Sequence, residues 1–382
     1  MGTVTLSDDG IAGLILTGAP VAGKLELNKP YVLSSALDLK KLGIEAESNP
    51  LLYKDITAFY AAAGEGAELH LLAVSAETTL TQMCASGSDS PLRTLIDSAA
   101  GRIRLVGINR NPAHDFTATD TDGLEKDVID SLPVAQATAE GFQADIAPFR
   151  LFLPALAWNG NTDGLLNLQE CAYNRVALVM ASDGKFGDSP CYSAAIGQVL
   201  GRASKIGVHR NLGRVRDGAI AQGGYLTDGK TPEAHFSEWN ILNDNGFIFY
   251  RTFIGKNGYY LNGDPMATSP DDDYGTLSRG RVIDKAVIIA YRTYIDEILD
   301  NIEVDGEKGT IPTPLCKSFE ASIIRAVGTQ MAGEISSFRA YIDPAQNVLA
   351  NGRMNVVCKI VPLATLKEIR VDLSLTNPAD EG

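Results

Sequence analysis

A chain of 382 residues, 45% hydrophobic and 21% charged, can bury a sizeable core, and its length points to two domains. Lys plus Arg total 33 against 47 Asp plus Glu, a net charge of −14 that disfavours nucleic acid and anionic membrane partners. The cysteines, Cys84, Cys171, Cys191, Cys316 and Cys358, are odd in number and widely spaced, which argues against a disulfide framework or a zinc site.

Residues 3–7 (TVTLS) alternate polar and apolar, the period of a strand with one buried face, with Val4 and Leu6 on the apolar side. Apolar runs at 13–16, 69–74, 103–108, 149–156 and 177–180 read as buried strands. Helical patterns fall between them at 35–41, 56–63, 124–132, 165–173 and 193–201. Such alternation predicts α/β layers around a largely parallel sheet. Residues 227–233 (TDGKTPE) are polar and turn-rich, a crossing between domains. An aromatic stretch at 246–253, a hairpin pattern at 255–263 and an acidic loop with Asp271, Asp272 and Asp273 follow.

A helix is predicted over 279–302, with Val282, Ala286, Ile289, Ile295, Ile298 and Ile302 as its apolar stripe. Another begins near Pro312, burying Leu315, Phe319, Ile323 and Ala326. A strand at 354–361 is stopped by Pro362. Residues 368–376 (EIRVDLSLT) then alternate without a break, setting Ile369, Val371, Leu373 and Leu375 on one face. The two terminal strands either pair within the subunit or add to the open sheet edge of a neighbour.

No motif carries catalysis. Residues 18–25 (GAPVAGKL) approach a phosphate-binding loop, but Leu25 stands where a Ser or Thr hydroxyl should hold magnesium, and Pro30 interrupts the helix that should follow. Asp120 and Asp122 fail the register of a calcium loop at both ends. His70, His114, His209 and His235 form no metal pair, and no G-x-S-x-G elbow occurs. Catalytic, cofactor and metal residues are therefore all predicted as none. No stretch reaches the roughly 18 apolar residues of a membrane span, and the N-terminus lacks a secretory pattern, so synthesis in the cytosol is expected.

Residues 243–253 (NDNGFIFYRTF) and 255–267 (GKNGYYLNGDPMA), running into a helix at 278–284 (SRGRVID), carry a resemblance, as does the alternating strand after Pro362. More loosely, so do 51–63 followed by 69–74, and 200–208 (LGRASKIGV). Together they resemble contractile tail-sheath proteins of the short, prophage type. One departure is that only residues 1–10 precede Ile11, where that family places a longer arm.

The resemblance implies an α/β and α+β fold of mixed sheets flanked by helices, with one domain inserted into the other. Residues 1–29 plus 230–382 would form the sheath core with terminal arms, and 30–229 an inserted α/β domain. It implies a self-assembling structural protein, not an enzyme, without cofactor. Its partners would be further copies in six-membered rings stacked helically, an inner tail tube and a baseplate. Assembly would take place in the bacterial cytoplasm, and the product would be a virion tail or injection apparatus. Val4, Leu6, Ile369, Val371, Leu373 and Leu375 would be the inter-subunit strand residues. The competing reading is a non-sheath α/β nucleotide-binding protein or enzyme using the Gly18 to Lys24 loop.

Overall fold

The computed structural model describes residues 8–367 and 369–373. Strands β1 (Ala12–Thr17), β2 (Pro30–Leu33), β3 (Leu69–Val74), β4 (Leu105–Asn109), β5 (Arg150–Pro154) and β6 (Val176–Val179) form one sheet in the order β2-β3-β1-β4-β5-β6. All neighbours are parallel except β2, which lies antiparallel at the β3 edge. Every residue of β1, β3, β4, β5 and β6 is buried. Largely apolar runs of this kind are what a parallel sheet covered on both faces requires.

Helices α1 (Pro50–Ala63) and α3 (Ile196–Lys205) cover one face, where Leu14 and Leu16 meet Ile56, Phe59, Val199 and Leu200. Helix α2 (Lys126–Ala144) and the helix Pro91–Ser98 cover the other, where Ile15 and Val106 meet Leu95, Val128 and Leu132. Helices α1 and α3 touch backbone to backbone. A Cβ on Gly197 would stand 2.1 Å from the Asp55 carbonyl oxygen, and one on Gly201 2.5 Å from that of Phe59. Only glycine fits at these two positions.

Strand β1 lies between β3 and β4, in a sheet whose other strands come from residues 30–179. It pairs along its length with both neighbours, Leu14 opposite Leu71 on one side and Gly107 on the other. A strand buried at every position, as β1 is, belongs at the centre of a covered sheet.

The C-terminal region has its own layers. Helices α4 (Leu277–Tyr294) and α5 (Thr313–Gln330) pack on a two-stranded antiparallel sheet of β7 (Ile335–Tyr341) and β8 (Val357–Pro362). Its core is small: Val282, Ile289, Ile323, Val327 and Met331, with Phe338, Ala340 and Ile360 packed against them.

Local outcomes differ from the periodicity at three places. Helix α2 continues to Ala144 through Pro133, because Ala135, Ala139 and Phe142 keep a buried face beyond it. Residues 165–173 form a single 3-10 turn at Leu168–Glu170 and a two-residue strand at Ala172–Tyr173, because the Leu168 amide donates to Asn245. Helix α4 ends at Tyr294, short of 302. Asp296 and Glu297 sit at its carbonyl end, where the helix dipole disfavours acids, and Leu299 adopts φ 69°.

Candidate assembly surface

Antiparallel register sets Phe338 opposite Ile360, Arg339 opposite Lys359 and Tyr341 opposite Val357. Among the described residues neither β7 nor β8 has a second strand partner. Both outer edges therefore present unpaired backbone N–H and C=O groups, a template for an added strand. Of the 21 large apolar side chains exposed among the described residues, 14 lie between Tyr291 and Leu373. Apolar surface of this density marks an interaction face.

After Pro362 the chain adopts no regular structure through the described residues 363–367 and 369–373. Leu366, Ile369, Val371 and Leu373 are 81%, 75%, 68% and 92% exposed. The face predicted for the terminal strand is thus laid open for three of its four members. Leu375, Val4 and Leu6 lie outside the described residues.

The root of the N-terminal segment is fastened beside this sheet. Arg281 Nη2 donates to the Asp9 carbonyl at 3.1 Å, and Arg292 pairs with Asp8 at 2.9 Å. Lys285 Nζ bridges Asp9 at 2.9 Å and Glu334 at 2.8 Å, and Glu334 immediately precedes β7. Burial alone would lower the Lys285 ammonium, but Glu334 and Asp9 outweigh it and hold it above its ordinary range. Burial pushes the Arg281 guanidinium down to about 10. Both ends of the chain therefore leave the body close to β7 and β8.

One buried carboxylate joins the two regions. Asp284 of α4 accepts from Arg150 Nε at 2.8 Å and Nη2 at 3.0 Å, and from Arg175 Nη2 at 3.1 Å. Arg150, in β5, is 1% exposed. Gly280 makes room for it, since a Cβ there would stand 2.4 Å from the guanidinium carbon. Asp264 anchors the start of α4. Its carboxylate accepts from the Ser278 amide at 3.0 Å and from Asn211, and burial pushes it up to about 6.

The 18–25 loop is not arranged as a phosphate cradle. Its amides at Gly18, Ala19, Val21, Lys24 and Leu25 already donate to Val74, Asn49, Leu25, Val21 and Val21 respectively. No helix follows; the chain enters β2. A cradle needs free N–H groups converging at a helix start. A buried cluster also lies at the ends of the parallel strands. Lys54 Nζ reaches Asp183 at 2.8 Å and Asp55 at 2.9 Å, and the Asn109 amide donates to Asp55 at 2.9 Å. Burial raises the Asp183 carboxyl, against the opposing pull of Lys54. Sequence gave no sign of this cluster, which closes on itself. Among the described residues no group of three or more His, Cys, Asp or Glu side chains is placed to hold a metal ion. None of the described helices is long and apolar enough to cross a membrane.

Two family models account for nearly the whole sequence, the N-terminal domain of DUF2586 over residues 1–264 and the C-terminal domain of DUF2586 over 273–380. The chain belongs to the DUF2586 family. No curated protein matches it. Among solved structures, this DUF2586 chain is similar to a chain of the anti-feeding prophage baseplate, with 14% identity, a TM-score of 0.63, and 97% of this chain and 94% of that one covered. It is similar to the contracted helical sheath of the same prophage at 13% identity and TM-score 0.63, over 97% and 95% of the two chains. The sheath tail protein of Desulfitobacterium hafniense follows at 11% identity and TM-score 0.52, over 95% and 99%. The fold of this DUF2586 chain is that of contractile tail-sheath proteins, as the 243–284 passage implied.

Strand β7 was not foreseen. A bulge between Ile335 and Ser337 sets Ile335 and Phe338 on one face three residues apart, a helical spacing. The signal available was the flanking β-branched and aromatic content of 335–341 (ISSFRAY).

Proposed function

We propose that this chain is the structural subunit of a contractile sheath. Copies would polymerise around an inner tube, and contraction would drive that tube through a target envelope. The observation that carries the reading is a two-stranded sheet whose edges are unpaired among the described residues, beside a C-terminal segment in which Leu366, Ile369, Val371 and Leu373 are exposed. The sheath-like fold over 97% of the chain supports it.

In this reading residues 368–376 add as a strand to the β7–β8 sheet of a neighbouring copy, packing Ile369, Val371, Leu373 and Leu375. The N-terminal strand, with Val4 and Leu6, does the same from its anchor at Asp8 and Asp9. Burying an aliphatic side chain contributes about 1.5–3 kcal/mol, and ordering each residue costs about 1–2 kcal/mol. One arm is therefore a weak bond. A lattice in which every subunit gives and receives arms gains from multivalency what a single contact lacks. Hinged arms also keep subunits joined while they rotate and slide. Six-membered rings, an inner tube and a baseplate are the partners that fit, with assembly in the bacterial cytoplasm and the finished apparatus as destination. The role is structural and uses no cofactor.

Negative-stain microscopy of the purified full-length chain tests this. Rings or tubes are expected, and a chain ending at Pro362 should stay monomeric. Tubes from that shortened chain would refute the role given to the C-terminal arm.

A further inference from the structure

Strand exchange uses the edges of the β7–β8 sheet and leaves its outward face unexplained. Phe338, Ala340 and Ile360 pack toward α4 and α5. Alternation then sends Arg339, Tyr341, Val357, Lys359 and Val361 outward, and all five are exposed. Arg339 stands directly opposite Lys359, where like charges repel. Neither has an anionic partner among the described residues.

A surface of opposite sign lies between α4 and α5. Residues 295–307 hold six carboxylates, on Asp296, Glu297, Asp300, Glu303, Asp305 and Glu307, with no Lys or Arg among them. All six residues are exposed, and none makes an ion pair among the described residues. Three apolar side chains project from the same segment, Ile295 at 43%, Ile298 at 59% and Leu299 at 100% exposure. One chain thus carries two half-apolar surfaces of opposite charge, and each lacks a counterpart among the described residues of its own copy.

We propose that the outward face of β7–β8 docks on the 295–307 segment of a second copy of this chain. Arg339 and Lys359 meet the carboxylates around Asp300 and Glu303, and Val357 and Val361 receive Ile298 and Leu299. The two surfaces differ, so the contact is heterologous and repeats head to tail, generating a ring or an open helix instead of a closed pair. Whole-chain charge of −14 opposes association at long range, and this local match of opposite signs gives approaching copies a register. The proposal rests on the sheath reading and deepens it.

Sedimentation velocity and negative stain of full-length variants test it. The double variant Arg339→Glu/Lys359→Glu should melt like the parent yet need at least about tenfold more protein to polymerise, because like charges now face each other across the contact. Asp300→Lys/Glu303→Lys should behave in the same way. An equimolar mixture of the two should polymerise again, since each copy's face then meets a loop of opposite sign. Unchanged assembly in either double variant, or a mixture that stays monomeric while both variants are folded, overturns the docking contact alone. A parent chain that forms no polymer at any concentration overturns both this contact and the sheath reading.

Discussion

The chain contains two sheets built on opposite terms. The six-stranded sheet is closed, with helices on both faces and β1 buried along its whole length. The β7–β8 sheet is open, with helices on one face, two free edges among the described residues and an exposed outer face. The first satisfies the hydrogen bonds and apolar surface of its five parallel strands internally, with β2 as its exposed edge. The second leaves both unsatisfied, which a lone soluble protein avoids because open edges invite aggregation. On the proposed reading, stability and association fall to different parts of one molecule, and the contrast can be tested from both sides.

The largest effect should come from removing residues 363–382. Deletion should abolish polymers while shifting the melting temperature little, because all the described residues of that segment are exposed. A drop in melting temperature as large as that from a core substitution would show that the open sheet needs its own tail, and the contrast would fail. Next comes the joint. Asp284→Ala leaves the buried guanidiniums of Arg150 and Arg175 without their shared carboxylate. Breaking a buried pair by removing one partner costs about 3–5 kcal/mol. Chemical denaturation should show a loss of that size; a loss under about 1 kcal/mol would mean that water or another acid reaches the pair.

What was legible in the sequence follows the same division. The six-stranded sheet announced itself, because strands buried on both faces are largely apolar, and 13–16 and 69–74 were readable for that reason. The passage 243–284 carried the resemblance to sheath proteins that the fold bears out. Side-chain period alone could not place β1 at the sheet centre, since pairing order is a property of the assembled layers. Nor could it find β7, whose bulge imitates a helical spacing. The buried salt links at Asp284 and Lys285 join residues more than a hundred or about fifty positions apart, and no local pattern marks them. The alternation at 3–7 and 368–376 was legible as a pattern, and the described residues 369–373 form no strand within their own chain. Ile369, Val371 and Leu373 are exposed as a donated strand requires, and their seat on another copy is a proposal for the deletion to decide.

A smaller effect sharpens the closed half. Gly201→Ala forces a methyl group to within 2.5 Å of the Phe59 carbonyl, so α1 and α3 must move apart. Overpacking of this kind costs about 1–3 kcal/mol. The melt should shift, while polymers formed below the new transition should look unchanged. Tubes that disappear from a still-folded Gly201→Ala protein would mean that the closed body shapes the lattice directly.

The smallest effect lies at the seam, where Asp264 ties the start of α4 to the body. Burial raises its carboxyl from an ordinary 3.8 to about 6, so the folded state binds this proton more tightly than the unfolded chain does. With respect to this group, stability is greatest below about pH 4 and falls as pH rises through 6, the reverse of a salt-bridged carboxylate. Asp38, Glu68 and Glu320, all held below their ordinary values, work in the opposite direction and lose their contribution on acidification. A melt of the parent alone would mix these trends. The difference between the parent and Asp264→Asn isolates one of them, because the amide keeps an oxygen for the Ser278 N–H and cannot ionise. Relative to the parent, the variant should gain about 1–2 kcal/mol between pH 4.5 and 7.5, from a shift of about two units at 1.36 kcal/mol each, less the part already lost below pH 4.5. A difference that stays flat across that range would mean that the Asp264 carboxyl does not change ionisation there, and that the seam is as wet as the open sheet beyond it.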